Sequence, residues 1–349
     1  MKIFYGVQGT GNGHITRGRV MAKELYAAGI DVTFQFSGRP KEEFFDMEVF
    51  NGYQHREGLT FDTNKGQVSY LKTALKSSPI QFVSDVKTLD LEPYDLVISD
   101  FEPVTAWAAK TQNKPVLGIG HQYAFNHAIP RAGSDPLADM VMKYFAPANR
   151  GIGLHWYHFD QAILPPIIET PELPQSIQAN KIVVYLPFED QLEMIKLLSP
   201  YKNHQFYLYS PVSVSSEFEH IICKPLSREG FKSDLFDCAG IISNAGFELA
   251  SEALQLGKKI LAKPLHAQME QISNAVALKQ LGYGDTMTNM ESRVIEKWLE
   301  KNTAVRVSYP NVAKLIVEWM LQGMPSIDKD FTEKVWANVN VKNIDIQKM

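Results

Sequence analysis

Ile241-Ile242-Ser243-Asn244-Ala245-Gly246-Phe247-Glu248-Leu249-Ala250-Ser251-Glu252-Ala253-Leu254 compresses a strand, a turn and a helix into one short stretch. The apolar run ends at Ser243. Small residues at 244–246 allow a tight turn, and helical spacing begins at Phe247. A strand–turn–helix unit aims the unpaired N–H groups of the helix at whatever lies beyond the strand end, and these favour an anion such as a phosphate or diphosphate. Glu252 lies further along the helix, where a carboxylate can accept hydrogen bonds from two vicinal hydroxyls, as on a ribose. On the residues alone it also suits a solvated helix face.

The same alternation runs outward in both directions. Towards the N-terminus, Ile182–Leu186, Gln205–Tyr209 and Gly240–Ser243 read as strands, with a helix over Asp190–Leu198. Towards the C-terminus come a strand at Lys259–Ala262 and helices at Gln271–Leu281, Ser292–Lys301 and Val312–Leu321. The first half repeats the pattern: strands Ile3–Val7, Asp31–Phe36, Leu96–Ser99 and Val116–Gly120, with helices Thr16–Ala28, Val68–Leu89 (broken at Pro79) and Val104–Gln112. Alternation of this kind implies parallel sheets with helices on both faces. Between the halves, Leu164-Pro165-Pro166-Ile167-Ile168-Glu169-Thr170-Pro171-Glu172-Leu173-Pro174 is too rich in proline to continue a helix or a central strand. The expected organisation is a first Rossmann-like domain at 1–163, a linker at 164–178, a second Rossmann-like domain at 179–323, and a segment at 324–349 returning to the first domain. Ligands of such sheets bind beyond the carboxyl ends of the strands, so two facing domains would make a cleft.

Gly9-Thr10-Gly11-Asn12-Gly13-His14 joins the first strand to the first helix. It lacks the spacing of a dinucleotide fingerprint, and the second strand ends in Ser37-Gly38-Arg39 rather than in an acid for a ribose. No Gly-Lys-Ser/Thr follows, so it is not a P-loop. What remains is a tight turn that lets a ligand approach the backbone. Histidine titrates near pH 6.5 in water, so His14 at the loop–helix junction is a candidate general base.

Composition narrows the classes. The 349 residues carry a formal charge of −4, which gives no electrostatic support to nucleic-acid binding. Cys223 and Cys238 are too few for a disulfide framework and lack metal-ligand spacing. No apolar run reaches the ~18 residues of a membrane span. The first strand runs into a glycine loop rather than a cleavage site. A cytoplasmic protein is expected, with peripheral membrane contact open through the Val68–Lys87 helix, where Lys72, Lys76 and Lys87 neighbour Leu71, Leu75 and Phe82. An amphipathic surface helix packed on the sheet fits the same residues.

Ser243-Asn244-Ala245-Gly246, Glu252, Gly257, Pro264, Glu270-Gln271 and Asn274-Ala275 together resemble the donor signature of UDP-glycosyltransferases. The first loop resembles the Gly-Gly-Thr-Gly-Gly-His loop of the bacterial peptidoglycan N-acetylglucosaminyltransferase. Both belong to the GT-B fold, and the resemblance spans most of the chain. It implies a glycosyltransferase that moves a sugar from a nucleotide-diphosphate sugar, UDP-linked, to a hydroxyl acceptor by an inverting, metal-independent displacement without a cofactor. It implies that Glu252 binds the ribose hydroxyls, that Asn244, Ala245 and Gly246 hold the diphosphate, and that Glu270 and Gln271 touch the sugar. Gly11, Asn12, Gly13 and Ser243 complete the donor-binding set. His14 would be the base, with Asp100 as its partner carboxylate. The acceptor could be lipid-linked or a cell-envelope glycan precursor. There are departures: Lys258-Lys259 follows Gly257, Asn244 replaces a histidine, Pro264 and Glu270 are further apart than in the plant enzymes, and Arg17 stands near a proline position of the bacterial enzyme. Two alternatives share the fold. One is a nucleotide-sugar epimerase recruiting Glu102, Asp135 or Glu248. The other is a non-catalytic nucleotide-sugar-binding protein. His121 and His127 are fallback bases.

Overall fold

The structure, a computed structural model, describes residues 1–59, 63–64, 67–68, 78–132, 136–169 and 176–346. Seven strands form the first sheet: β1 (Lys2–Gln8), β2 (Asp31–Ser37), β3 (Gln54–His55), β4 (Leu96–Asp100), β5 (Val116–Gly120), β6 (Arg150–Leu154) and β7 (Ile163–Leu164). Their spatial order is β3-β2-β1-β4-β5-β6-β7, every pair parallel. The second sheet contains β8 (Gln178–Tyr185), β9 (Gln205–Ser210), β10 (Ile221–Pro225), β11 (Cys238–Asn244), β12 (Lys259–Lys263) and β13 (Asp285–Thr286). Its order is β10-β9-β8-β11-β12-β13, again parallel throughout. Both sheets reverse direction beside their first strand, the doubly wound arrangement in which ligands bind at the switch point. The expectation of two Rossmann-like sheets is met.

The helices follow from local chemistry. α1 (Asn12–Ala27) buries Ile15, Val20, Met21 and Leu25 against the first sheet and gives way to Gly29 at φ 70°. α2 (Pro79–Thr88) begins at Ser78, whose side chain accepts from Gln81 N. α3 (Pro103–Thr111) is capped by Glu102. α4 (Pro136–Tyr144) precedes β6. In the second half α5 (Gln191–Leu198) is capped by Asp190 and α6 (Arg228–Asp237) by Ser227. α7 (Phe247–Leu256) ends at Gly257 in the left-handed region, the residue type that adopts it without strain. α8 (Met269–Leu281), α9 (Ser292–Leu299), α10 (Val312–Leu321) and α11 (Lys329–Trp336) complete the set.

Some boundaries differ from expectation. α1 begins at Asn12 rather than Thr16, so His14 lies inside the first helical turn. Val68 belongs to a short hairpin, Thr63–Asn64 against Gln67–Val68, and not to a helix. The helix proper starts at Pro79, where proline is tolerated because its missing N–H has no intrahelical partner. Lys72 and Lys76, on which the membrane-contact expectation falls, lie outside the described residues. Among the described residues no helix is long and apolar enough to cross a membrane. Leu164 pairs in β7, and Ile167 and Ile168 are buried in the core, so the start of the proline-rich stretch is packed rather than free. The segment after Gly323 divides. Trp336 Nε1 donates to Ile163 O of the first sheet at 2.7 Å. Residues Asn340–Asp345 then pair antiparallel with Thr303–Ser308 in the second half.

One apolar cluster runs through both halves, from Ile3, Tyr5 and Phe36 through Trp156 and Ile167 to Ala245, Phe247 and Leu254. Close packing extends to the strand ends. A Cβ on Gly153 would lie 2.7 Å from Ala124 Cα and 2.8 Å from Ala124 N. Backbone cannot withdraw as a flexible side chain can, so Gly153→Ala should cost about 1–3 kcal/mol. Urea unfolding checks this: an unchanged midpoint would show that β6 and the loop after β5 are not packed as described.

Candidate active site

Residues beyond the carboxyl ends of β1, β4 and β5 meet residues beyond the ends of β11 and β12. At the centre is Arg17, one helical turn after His14 and 3% exposed. Its Nε donates to Asp100 Oδ2 at 2.8 Å and its Nη2 to Oδ1 at 2.6 Å. Its Nη1 donates across the junction to Glu248 Oε2 at 2.9 Å. His14 Nδ1 lies 2.7 Å from Asp100 Oδ1. Asp100 itself is fully buried at the end of β4, opposite Val7 of β1. The next residue, Phe101, is held at φ 52°, an uncommon conformation for a bulky side chain. It turns the chain so that Glu102 can bond reciprocally with Ser99 and cap α3.

Electrostatics fix the proton positions. Burial pushes the Asp100 carboxyl up, but Arg17 and His14 overcome it and hold it below the usual carboxylate range. Burial also works against the Arg17 charge, and Asp100 and Glu248 more than restore it. An ionised Asp100 can only accept, so His14 Nδ1 carries the hydrogen. Arg17 Nη2, 3.0 Å from that same Nδ1, cannot be accepted by it in this tautomer and is a close neighbour only. The other ring nitrogen, Nε2, has no hydrogen-bond partner among the described residues, and the side chain is 15% exposed. An imidazole with Nδ1 anchored on a carboxylate and a free Nε2 lone pair is arranged to take a proton.

On the facing side, α7 starts at Gly246 with no side-chain cap, and open space lies where a Cβ would be. α1 likewise starts at Gly11, uncapped and open. Of the other α-helices whose N-cap is described, six have a capping side chain, and α8 and α9 do not; an uncapped N-terminus keeps its N–H donors for another partner. Ser243 and Asn244 are buried at the end of β11. Asn244 Nδ2 donates to Lys263 O at 3.1 Å, while its Oδ1 has no partner. Ala245 O accepts from Asn274 Nδ2 at 3.0 Å, which fixes the turn. Gly13 packs against this half: a Cβ there would be 3.0 Å from Glu248 Cβ. Asn12 Oδ1 accepts from Arg39 at 3.0 Å. Glu252, half-buried in α7, makes no hydrogen bond among the described residues. Burial pushes its carboxyl up to about 7, with Lys232 pulling down and Glu169 pushing up.

Other sequence-derived candidates are committed elsewhere. Glu270 accepts from Gln122 Nε2 at 3.2 Å, and Gln271 Oε1 accepts from Leu265 N at 3.0 Å, holding the loop before α8. Glu102 accepts from Val104 N, Thr105 N and Ser37 Oγ in the core, so it is a structural cap rather than a sugar-facing acid. Asp135 lies outside the described residues. His121 is buried with Nδ1 on Leu154 O and Nε2 on Asn274 Oδ1, and stacks on Phe247 at 4.0 Å. With both nitrogens engaged it is not placed as a base. His127 lines a separate surface cavity of about 300 Å³ with Arg150 and Ser326. Among the described residues no three His, Cys, Asp or Glu side chains gather as a metal-ligand set. From the sequence Arg17 stands out only as a departure at a proline position and Glu248 only as a spare acid; nothing there pairs the two. The i, i+3 spacing of His14 and Arg17, which puts both on one helix face, was the available signal.

Residues 1–302 match the family described as glycosyl transferase family 1. The chain belongs to that family. This glycosyltransferase is 25% identical over 338 residues to an uncharacterized glycosyltransferase of Methanosarcina acetivorans, covering 82% of this chain and 84% of that protein. Its architecture is GT-B. It superposes on the calicheamicin glycosyltransferase CalG4 with TM-score 0.55 at 15% identity, covering 97% of this chain and 99% of that one. MurG of Acinetobacter baumannii gives 0.54 at 14% identity over 92% and 100%. VinC, solved in complex with dTDP, gives 0.54 at 12% identity over 95% and 98%.

The raised Glu252 carboxyl has a thermodynamic consequence. Its folded-state pKa lies above the ordinary 4.5, so the stability it supports is complete below pH 4.5 and is lost as pH rises through about 7. Glu252→Gln removes that dependence. The variant should match the wild type near pH 4.5 and exceed it by about 1–3 kcal/mol at pH 8. Denaturant titrations at the two pH values read this directly, and equal stability at pH 8 would show that Glu252 is well solvated.

Proposed function

We propose that this glycosyltransferase moves a sugar from a nucleoside diphosphate, UDP by family resemblance, to a hydroxyl acceptor with inversion at the anomeric carbon. The observation that carries the reading is the free Nε2 of a histidine whose Nδ1 is anchored on Asp100, set beside the uncapped N-terminus of α7. The acceptor hydroxyl gives its proton to His14 Nε2 as its oxygen attacks the anomeric carbon. The bond from that carbon to the diphosphate oxygen breaks, and the electron pair leaves with the nucleoside diphosphate. Negative charge grows on the leaving group, where N–H groups of helix N-termini stabilise it most.

Several features support the placement of the donor. The turn Asn244–Gly246 has an unpartnered Asn244 Oδ1 and an open face at Gly246. Ser243 lies in the strand beneath it, one residue before its end. Glu252, with no hydrogen-bond partner of its own, suits two ribose hydroxyls. Gly11, Asn12 and Gly13 oppose the turn from the first half. Glu270 and Gln271, at the start of α8, are assigned to the sugar. Gln271 Oε1 already accepts from Leu265 N, so its amide nitrogen is the group least engaged for that role.

A thermal-shift screen against UDP-, dTDP- and GDP-sugars tests the donor. One nucleotide sugar should raise the melting temperature, and Glu252→Ala should abolish the rise. His14→Ala should keep the shift while turnover falls about 10²–10⁴-fold. Wild-type turnover in that variant would remove His14 from the mechanism.

A further inference from the structure

We infer that Glu248 is a positioning residue: by holding Arg17 from the opposite half of the molecule, it sets the geometry of Asp100 and therefore of His14. The inference rests on the reading of His14 as the base for its catalytic meaning, and it stands on geometry of its own.

Two carboxylates share one guanidinium here. Asp100 takes Nε and Nη2, and Glu248 takes Nη1. A guanidinium is planar, so fixing Nη1 fixes the directions of the other two donors. Asp100 Oδ1 receives both Arg17 Nη2 and His14 Nδ1, at 2.6 and 2.7 Å. A rotation of Arg17 therefore moves the oxygen on which the imidazole is anchored, and the imidazole turns with it. Arg17 and Asp100 are 3% and 0% exposed and Glu248 is 8% exposed. Water cannot readily replace a lost partner at these positions, so the linkage is stiff.

The three groups come from distant places. Arg17 and His14 lie on α1 and Asp100 at the end of β4, in the first half. Glu248 lies in the first turn of α7, two residues after the Gly246 at which that helix begins. A Cβ on Gly13 would lie 3.0 Å from Glu248 Cβ, so the absence of a side chain there lets α1 and α7 approach closely enough for the pair to form. The Arg17–Glu248 bond exists only when the two halves are apposed as they are here. Apposition thus completes the His14 dyad at the same junction that brings the α7 N-terminus to it. Separated halves would leave Arg17 held by Asp100 alone, with nothing to stop the two side chains turning together and carrying the Nε2 direction of His14 with them.

The ring resonances of His14 in the full chain, labelled with ¹⁵N-histidine and assigned by their loss in His14→Gln, test this without any substrate. The wild type should show a downfield, exchange-protected Nδ1–H. Glu248→Ala should broaden or shift it to the position of a solvent-exchanging imidazole, and Glu248→Gln, whose amide oxygen still accepts from Arg17 Nη1, should restore it. Arg17→Lys keeps the charge but loses the fork, and should behave like Glu248→Ala. If Glu248→Ala does not fold, Glu248→Asp shortens the reach by one methylene and serves instead. Unmoved resonances of His55 and His204 show that each variant is folded. With acceptor-free hydrolysis of the UDP-sugar as a second readout, kcat should fall about 10²-fold with KM within twofold. An unchanged His14 Nδ1–H in folded Glu248→Ala or Glu248→Asp overturns the inference. Wild-type turnover of His14→Ala would instead overturn the role of His14 as base and leave the coupling read by the ring resonances intact.

Discussion

Arg17 carries a permanent charge in a place water barely reaches, and the architecture of the junction follows from that. A buried cation must be matched by anions at hydrogen-bond distance, because removing one partner of such a group costs about 3–5 kcal/mol. One carboxylate comes from the end of β4, held ionised, and the other from the start of α7, where burial pushes Glu248 up to about 8 against the pull of Arg17. The first half can supply only one of the two. Asp100 balances the charge of Arg17 from within the first half, and Nη1 finds its acceptor only with the second half in place, so the position of α7 relative to α1 decides whether the buried guanidinium is fully hydrogen-bonded.

Other contacts across the same junction reinforce it. Trp156 Nε1 donates to Ser251 Oγ at 2.8 Å, and His121 is held by Leu154 O on its own side and by Asn274 on the other. The imidazole of His121 is further stacked on Phe247. Burial and the nearby Glu270, Leu154 and Asn274 work against each other on His121, and burial prevails, holding it below the ordinary histidine value. A neutral ring has one N–H, so it donates to one of these two oxygens and meets the other as a close contact. Away from the centre, Glu169 binds Lys23 of α1 and Lys232 of α6, tying the halves at their edge with more exposed groups. Exposed pairs of this sort contribute little. The apolar cluster that runs through both halves contributes far more.

The fold was legible to a large extent. Alternating apolar strands and amphipathic helices gave both parallel sheets, because a buried parallel strand must be apolar on both faces. Short or edge strands such as Gln54–His55 and Ile163–Leu164 carry too few residues to leave a period. The antiparallel pair Thr303–Ser308 with Asn340–Asp345 joins segments far apart in sequence, and pairing at that separation has no local signal. Gly246, Gly257 and His14 were readable since turns, helix stops and helix starts depend on nearest neighbours. The His14–Asp100 pairing, expected from family resemblance, is present in the geometry at 2.7 Å. Glu102 could not have been separated from Asp100 or Glu248 by inspection, since a capping carboxylate and a site carboxylate are the same residue type.

By itself, the sequence determined two Rossmann-like sheets, the strand–turn–helix at Ser243–Glu252, and a glycine loop ending in a histidine. Each is a matter of local backbone preference and of the period of apolar residues. Only the tertiary structure decided that Arg17 is buried between Asp100 and Glu248, and that His121 is spent on holding the halves together. Those outcomes depend on which charges share a space that excludes water. Residues separated by 231 positions, as Arg17 and Glu248 are, enter that space together only once both sheets have formed and closed on one another.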